Sequence, residues 1–239
     1  MCSAGCYMPH LCSSRPSECL MQPKAYYPLF ADVHGRRCVV IGGGKVAQRK
    51  VTALLQYGAA ITLISPTLTK PLKHYAQRKL ICHVSRRFRP SDLRGAWLVY
   101  AATDDETINR SVYRASQRRR IFTNVVDQTP LCSFIAPAIF RRGPLTIAVS
   151  TGGASPSLAK KLRSELGTLI GKEYVPMVKL LTNLRGAAKR KLPQYGDRRI
   201  FFDRLVHGRV FTLVRQGHYQ RARDEALALL NREAALKRT

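Results

Sequence analysis

Acidic side chains are scarce in this sequence: 14 Asp and Glu stand against 41 Lys and Arg in 239 residues, a formal net charge of +27. Such an excess favours polyanionic partners, and nucleic acid, an acidic membrane surface and a polycarboxylate metabolite all qualify. A solvated basic surface is the plain alternative. Long apolar runs are missing as well. No stretch approaches the roughly 18 residues of a membrane-spanning helix, and no basic segment followed by an apolar run opens the chain. The expectation is a soluble, cytoplasmic protein with no membrane partner. The seven cysteines show no C-x-x-C pair, which removes the usual signature of a zinc or dithiol site. Cys2, Cys6, Cys12 and Cys19 fall in a Pro- and Ser-containing lead-in, residues 1–22, which has neither helical nor strand periodicity and is expected to be disordered. Cys38 and Cys82 lie in apolar runs and read as small buried hydrophobes. No metal ligands are assigned.

From Tyr27 the pattern changes. An apolar approach and a turn at His34-Gly35 lead into the run Cys38-Val39-Val40-Ile41, which enters Gly42-Gly43-Gly44 directly. Val46, Ala47, Val51, Leu54 and Leu55 then recur at helical spacing, with Gly58 placed for a left-handed stop. A second run, Ile61 to Ile64, completes a strand-helix-strand unit of about thirty residues, the length that parallel pairing needs. Further runs at Leu80-Ile81, Trp97–Ala101 and Ile121–Val126 alternate with polar, helix-compatible stretches. This alternation predicts an α/β fold with a Rossmann-like, doubly wound parallel sheet. After Asp127, Phe134–Phe140 and Leu145–Ser150 read as neighbouring strands joined at Arg142-Gly143-Pro144. From Ser155 the chain reads as helical, with Leu158, Leu162, Leu166, Leu169 and Ile170 in one stripe and an ambiguous run at Val210–Val214. The expected organisation is a dinucleotide-binding domain over 23–125, a small dimerisation region over 126–155 and a helical domain over 156–239.

Five segments bear on the chemistry. Gly42-Gly43-Gly44-Lys45-Val46-Ala47 fits G-x-G-x-x-G/A: one glycine for the tight turn, another for close approach of a pyrophosphate, and a small residue where helix meets strand. The helix N-terminus would face the phosphates with free N–H groups. The second strand ends at Ile64-Ser65-Pro66-Thr67 without the Asp or Glu that holds ribose hydroxyls in many NAD sites. NAD against NADP is therefore open on these residues, with Ser65 and Thr67 as weak substitutes. Thr103-Asp104-Asp105-Glu106 follows a strand, and Thr103 or Asp104 reads as a helix cap before it reads as a catalytic group. In Asn124-Val125-Val126-Asp127 a carboxylate closes an apolar strand, where desolvation would prepare it for proton transfer. Ser150-Thr151-Gly152-Gly153-Ala154-Ser155-Pro156 is a glycine-rich loop entering a helix, equally an anion site and a sharp connector.

Together these segments, with Tyr27-Pro28-Leu29-Phe30 and Gln48-Arg49-Lys50, resemble the precorrin-2 dehydrogenase/sirohydrochlorin ferrochelatase family over residues 26–205. The resemblance implies NAD as cofactor on Gly42, Gly44, Lys45, Val46, Ala47, Pro66, Thr67 and Thr103, with Asp127 as the catalytic aspartate. Asn124, Thr151, Gly152, Gly153 and Ser155 form the implied substrate set. It further implies a homodimer, oxidation of precorrin-2 to sirohydrochlorin, and ferrous ion as a second substrate in those relatives that insert it. A separate methyltransferase would supply the substrate. Relatives often carry Ser at the Thr151 position, and the lead-in has no counterpart among them. Two rival readings use other features. A regulatory module that senses NAD without catalysis would use the same glycine turn and need no carboxylate at Asp127. A nucleic-acid binder would use Arg118-Arg119-Arg120 and Lys189-Arg190-Lys191, but these runs lack interleaved aromatics, and no nucleic-acid partner is expected.

Overall fold

Each apolar run bounded by turn residues becomes a strand in the computed structural model, which describes residues 25–237. The lead-in over 1–22, with its expected disorder and its four cysteines, lies outside the described residues. The strands are β1 (Arg37–Ile41), β2 (Ala60–Ile64), β3 (Cys82–Val84), β4 (Leu98–Ala101) and β5 (Phe122–Val125). All pair in parallel, in the order β3-β2-β1-β4-β5. The order reverses between β1 and β4, and ligands of open parallel sheets bind beyond the carboxyl ends at such a reversal.

Period-two alternation sends Cys38 and Val40 to one face of the sheet and Val39 and Ile41 to the other. Helices α1 (Lys45–Gln56) and α2 (Lys70–Gln77) close the first face through Ala47, Val51, Leu54 and Leu72. Helix α3 (Glu106–Gln117) and a 3-10 turn at Pro90–Leu93 close the second through Val112, Ala115 and Leu93. This is the Rossmann-like, doubly wound sheet that the alternation predicts.

An antiparallel hairpin follows: β6 (Ala138–Arg142) and β7 (Leu145–Val149), turning at Gly143 with φ +57°. It packs on α4 (Pro156–Leu169), where Gly167 leaves room for the Phe140 ring and Arg142 donates to the carbonyls of Gly167 and Ile170. The C-terminal helical region consists of α5 (Tyr174–Lys191), α6 (Tyr195–His207), α7 (Arg209–Arg215) and α8 (Tyr219–Leu236). Its separate core gathers on Phe201, Leu205, Leu184 and Leu230.

Three local expectations are corrected and one ambiguity is resolved. The third strand is Cys82–Val84 and not Leu80-Ile81, because Lys79 takes a left-handed turn (φ +56°) and leaves Leu80 exposed before pairing begins. Cys82 is exposed, since β3 is the edge strand, whereas Cys38 is fully buried. Residues 134–137 precede the hairpin strand: Phe134 turns inward, edge-on to Tyr100 at 5.4 Å between ring centres. The run Val210–Val214 is helical, with Val210 and Val214 four residues apart on a buried face.

Phe201 is the largest fully buried side chain in the structure. Truncation in Phe201→Ala is expected to lower stability by about 3–5 kcal/mol, measured as a fall in the urea midpoint of the transition that reports the C-terminal helices.

Candidate active site

The sheet register makes one level edge. Ile41 pairs with Ile64 and with Ala101, and Ala101 pairs with Val125, so the residues that leave β1, β2, β4 and β5 leave side by side. Backbone bonds lock this edge: Gly42 N–H donates to the Ile64 carbonyl (2.9 Å), Ala102 N–H to Ile41 (2.8 Å) and Val126 N–H to Ala101 (2.9 Å).

The three glycines of the turn have three different reasons. Gly42 adopts φ +111°, and a Cβ there would sit 2.1 Å from the Ala102 carbonyl oxygen. A Cβ on Gly43 would lie 1.8 Å from the Thr67 carbonyl oxygen. On Gly44 it would meet nothing within 4 Å, so open space lies next to this residue. Gly44 is the N-cap of α1 and provides no side-chain cap, which leaves the first helical N–H groups of Lys45 and Val46 facing that space. Ala47 is fully buried, as helix-against-strand packing requires. On the β2 side, the Ser65 hydroxyl is nearly buried and donates to the Thr67 carbonyl (2.7 Å). Thr69 N–H donates to Gly43 (3.0 Å), so Pro66 and Thr67 wrap the turn from that side.

Beyond β4, Thr103 Oγ1 accepts from Asp105 N–H (2.8 Å), and its carbonyl accepts from the Asn109 amide (2.9 Å). The cap of α3 is Asp105, which accepts from Ile108 N–H, and neither Thr103 nor Asp104. An N-cap bonds backbone two or three residues ahead, and α3 begins one residue later than the sequence suggests.

Asp127 stands past β5 with φ +58°, in a turn closed by Gln128 N–H on the Val125 carbonyl (3.2 Å). The Cys132 thiol donates to the Val125 and Gln128 carbonyls at 3.2 and 3.4 Å and braces this turn. The carboxylate is exposed. The desolvation expected from its place on an apolar strand is thus absent in the single chain, because the left-handed turn carries it outward. Asn124 is nearly buried and spends its amide on the Phe134 carbonyl (3.0 Å), which ties down the chain's return under β5.

The loop after β7 reaches the same place. Gly152 and Gly153 have φ +65° and +94°, and a Cβ on Gly153 would lie 3.7 Å from Thr129, two residues past Asp127. Ser155 caps α4 through Leu158 N–H, Pro156 takes the first helical position, and the Thr151 hydroxyl closes the loop on Ser155. Gly42, Thr103, Asn124, Asp127 and the loop 151–155 are therefore neighbours although they span more than a hundred residues of sequence.

Lys50, quoted above only within the family's motif, and Tyr100 lie beside this edge too, although the sequence assigns neither to the site. The Lys50 ammonium lies 4.9 Å above the Tyr100 ring centre. Burial pushes the Tyr100 hydroxyl up to about 12. Burial also lowers the Lys50 ammonium from its ordinary value, helped by the charge of Arg49 and opposed by Asp127 and Cys132. The available signal was positional: Lys50 falls three residues after Ala47 and four before Leu54, on the apolar stripe of α1. Among the described residues no group of three His, Cys, Asp or Glu side chains is placed to hold a metal ion, and no helix is long and apolar enough to cross a membrane.

Family models match three consecutive regions of the chain: "Putative NAD(P)-binding" over residues 29–138, "Sirohaem biosynthesis protein central" over 142–169 and "Sirohaem synthase dimerisation region" over 173–230. The glycine turn thus belongs to a region that binds a nicotinamide nucleotide. The siroheme synthase of Methylobacillus flagellatus is 40% identical over 85% of this chain and 44% of its own length. That of Thioalkalivibrio sulfidiphilus is 41% identical over 83% of this chain and 41% of its own. The chain spans less than half the length of these relatives. The solved structure of "SirC, precorrin-2 dehydrogenase" has the same fold, with a TM-score of 0.69 at 24% identity, over 83% of this chain and 99% of that one. With these three regions in order along its length, the chain belongs to the siroheme-biosynthesis family.

Proposed function

We propose that this chain oxidises precorrin-2 to sirohydrochlorin with NAD, as a cytoplasmic homodimer. The observation that carries the reading is the meeting of an open glycine cradle and a carboxylate on one level sheet edge: Gly44 at the start of α1 and Asp127 past β5. Family membership and the names borne by the relatives support the substrate class.

In this reading the N–H groups of Lys45 and Val46 hold the pyrophosphate, while Pro66 and Thr67 border the adenosine end and Thr103 the nicotinamide end. No acidic side chain lies between Ile64 and Thr69 to repel a 2′-phosphate and Lys70 opens α2 directly afterwards, so the choice of NAD follows the family resemblance and not these residues. Bound NAD⁺ supplies the hydride acceptor. The substrate gives up a hydride and a proton, and Asp127 takes the proton through its exposed carboxylate. Closure of the site over the substrate would supply the desolvation that the single chain lacks. In the loop of Thr151, Gly152, Gly153 and Ser155 the N–H groups of Gly152, Ala154 and Ser155 are spent within the loop, so Gly153 N–H and the N-terminal end of α4 are what it offers to the substrate's carboxylates, and Asn124 holds the strand end beneath. The homodimer reading rests on the exposed apolar stripe of α4: Leu158 is 47%, Leu162 38% and Leu169 77% exposed. Contiguous apolar surface of this kind marks an interface.

The carrying experiment is an absorbance assay with precorrin-2 and NAD⁺. Sirohydrochlorin formation is the expected result, and its absence from folded, NAD-binding protein would favour the sensing module. Ferrous or cobalt ion added to the same cuvette reads metal insertion.

Gly44→Val should fold normally, since a Cβ there meets nothing, yet lose NAD binding by isothermal titration. Unchanged affinity would move the nucleotide away from the turn. Asp127→Asn keeps the shape and removes the titratable carboxylate, so turnover should fall by about a hundredfold or more with NAD affinity retained; near-normal oxidation would turn attention to Asp104 and Asp105. Leu162→Glu should shift the protein towards monomer in sedimentation velocity, and an unchanged sedimentation coefficient would place the interface elsewhere.

A further inference from the structure

Lysine on the sheet-facing stripe of a helix is a costly placement, because an ammonium withdrawn from water needs an anion or several acceptors. Lys50 is such a residue. Its neighbours on the stripe, Ala47, Val51 and Leu54, are buried against the sheet, and its own side chain is half-buried. The ammonium rests on the Tyr100 ring at 4.9 Å, a contact that offsets part of the cost and uses none of its three N–H donors. Among the described residues it makes no hydrogen bond and no ion pair. Tyr100 is paired with Asn124 across the sheet, and Asp127 follows three residues later, so the unspent donors lie under the substrate side of the edge.

We infer that Lys50 is the anchor for an anionic oxygen of the ligand, a peripheral carboxylate of the tetrapyrrole, received between the Tyr100 ring and the Asp127 turn. This rests on the tetrapyrrole reading proposed above. A dinucleotide phosphate has the same oxygen chemistry, but Lys50 sits beyond the first turn of α1, past the N–H groups of Lys45 and Val46 that face the Gly44 cradle. A carboxylate from the substrate reaches it from the β5 side. The groups that bear on the ammonium agree with a vacant counter-ion role. Arg49 repels it from the same helix, Tyr100 contributes a neutral ring from β4, and the Asp127 and Cys132 side chains, on the turn that follows β5, only partly compensate its burial. Tyr26, which precedes β1, faces Cys132.

The test measures ligand binding and NAD binding separately. A water-soluble polycarboxylic porphyrin is titrated into the NAD-loaded protein, and quenching of its single tryptophan, Trp97, reports occupancy. The same ring with its carboxylates converted to primary amides is the control. The wild-type protein should prefer the acid to the amide. Lys50→Met, which keeps the apolar stem, should weaken acid binding about tenfold or more, the loss of one charge-assisted hydrogen bond, and should lose most of the preference. Lys50→Arg should restore much of it. In turnover with precorrin-2 the methionine variant should raise KM more than it lowers kcat. Equal porphyrin affinity of wild type and Lys50→Met, with both folded by circular dichroism, would overturn the anchor and leave the proposed function standing. A matching loss of NAD affinity would assign Lys50 to the dinucleotide phosphate and overturn it as well. Failure of the wild-type protein to bind the porphyrin would overturn the tetrapyrrole reading itself.

Discussion

Backbone pressed against backbone at the glycine turn is the constraint on which the rest of this structure depends. Gly42 lies against the carbonyl of Ala102 and Gly43 against that of Thr67, at distances that exclude any side chain. These contacts bring the exits of β1, β2 and β4 together and fix the direction in which α1 starts. Once that direction is set, Ala47, Val51 and Leu54 must enter the core, and Lys50 is carried over β4 with them. The same register places Val125 level with Ala101, and so puts the Asp127 turn within reach of the cradle.

The remaining part of the edge arrives from outside the sheet. The hairpin β6–β7 owes its place to Arg142, whose guanidinium reaches back to carbonyls near the end of α4, and to the close fit of Gly167 on the Phe140 ring. This joint holds the start of α4, and with it Ser155 and the loop from Thr151, against Thr129. A site that looks like a feature of one sheet is thus built by two layers, and the second is held by a few polar contacts and one ring.

Much of the frame was legible in the residues. The runs at Val39, Leu63, Val99 and Thr123 are short, apolar and bounded by turn formers, and each is a strand at nearly the expected positions. Segments whose periodicity serves two states were read less well. Val210-Phe211-Thr212-Leu213-Val214 is rich in β-branched residues, yet the core of the helical region takes Val210 and Val214 from one helical face. Phe134 adjoins a true strand but is drawn out of line by the Tyr100 ring. At the site, the glycine turn could be read because its steric demand is written in three residues. The spacing of the α4 leucines was equally clear, but nothing in a repeat distinguishes a stripe facing a core from one facing water. The place of Lys50 needed the distance across two strands, which no single segment encodes.

Asp127 sits in the left-handed region at φ +58°, where a residue with a branched or bulky side chain is strained and glycine, asparagine and aspartate are tolerated. The position therefore filters replacements by backbone geometry before chemistry is considered. Of the residues that fit the turn at low cost, aspartate alone carries a carboxylate, while glutamate, chemically closest, brings the longer side chain and the conformational penalty together. The backbone at this position thus favours aspartate over glutamate through a modest conformational cost, a bias and not a bar, since Lys79 and Arg120 hold the same region at φ +56° and +55°.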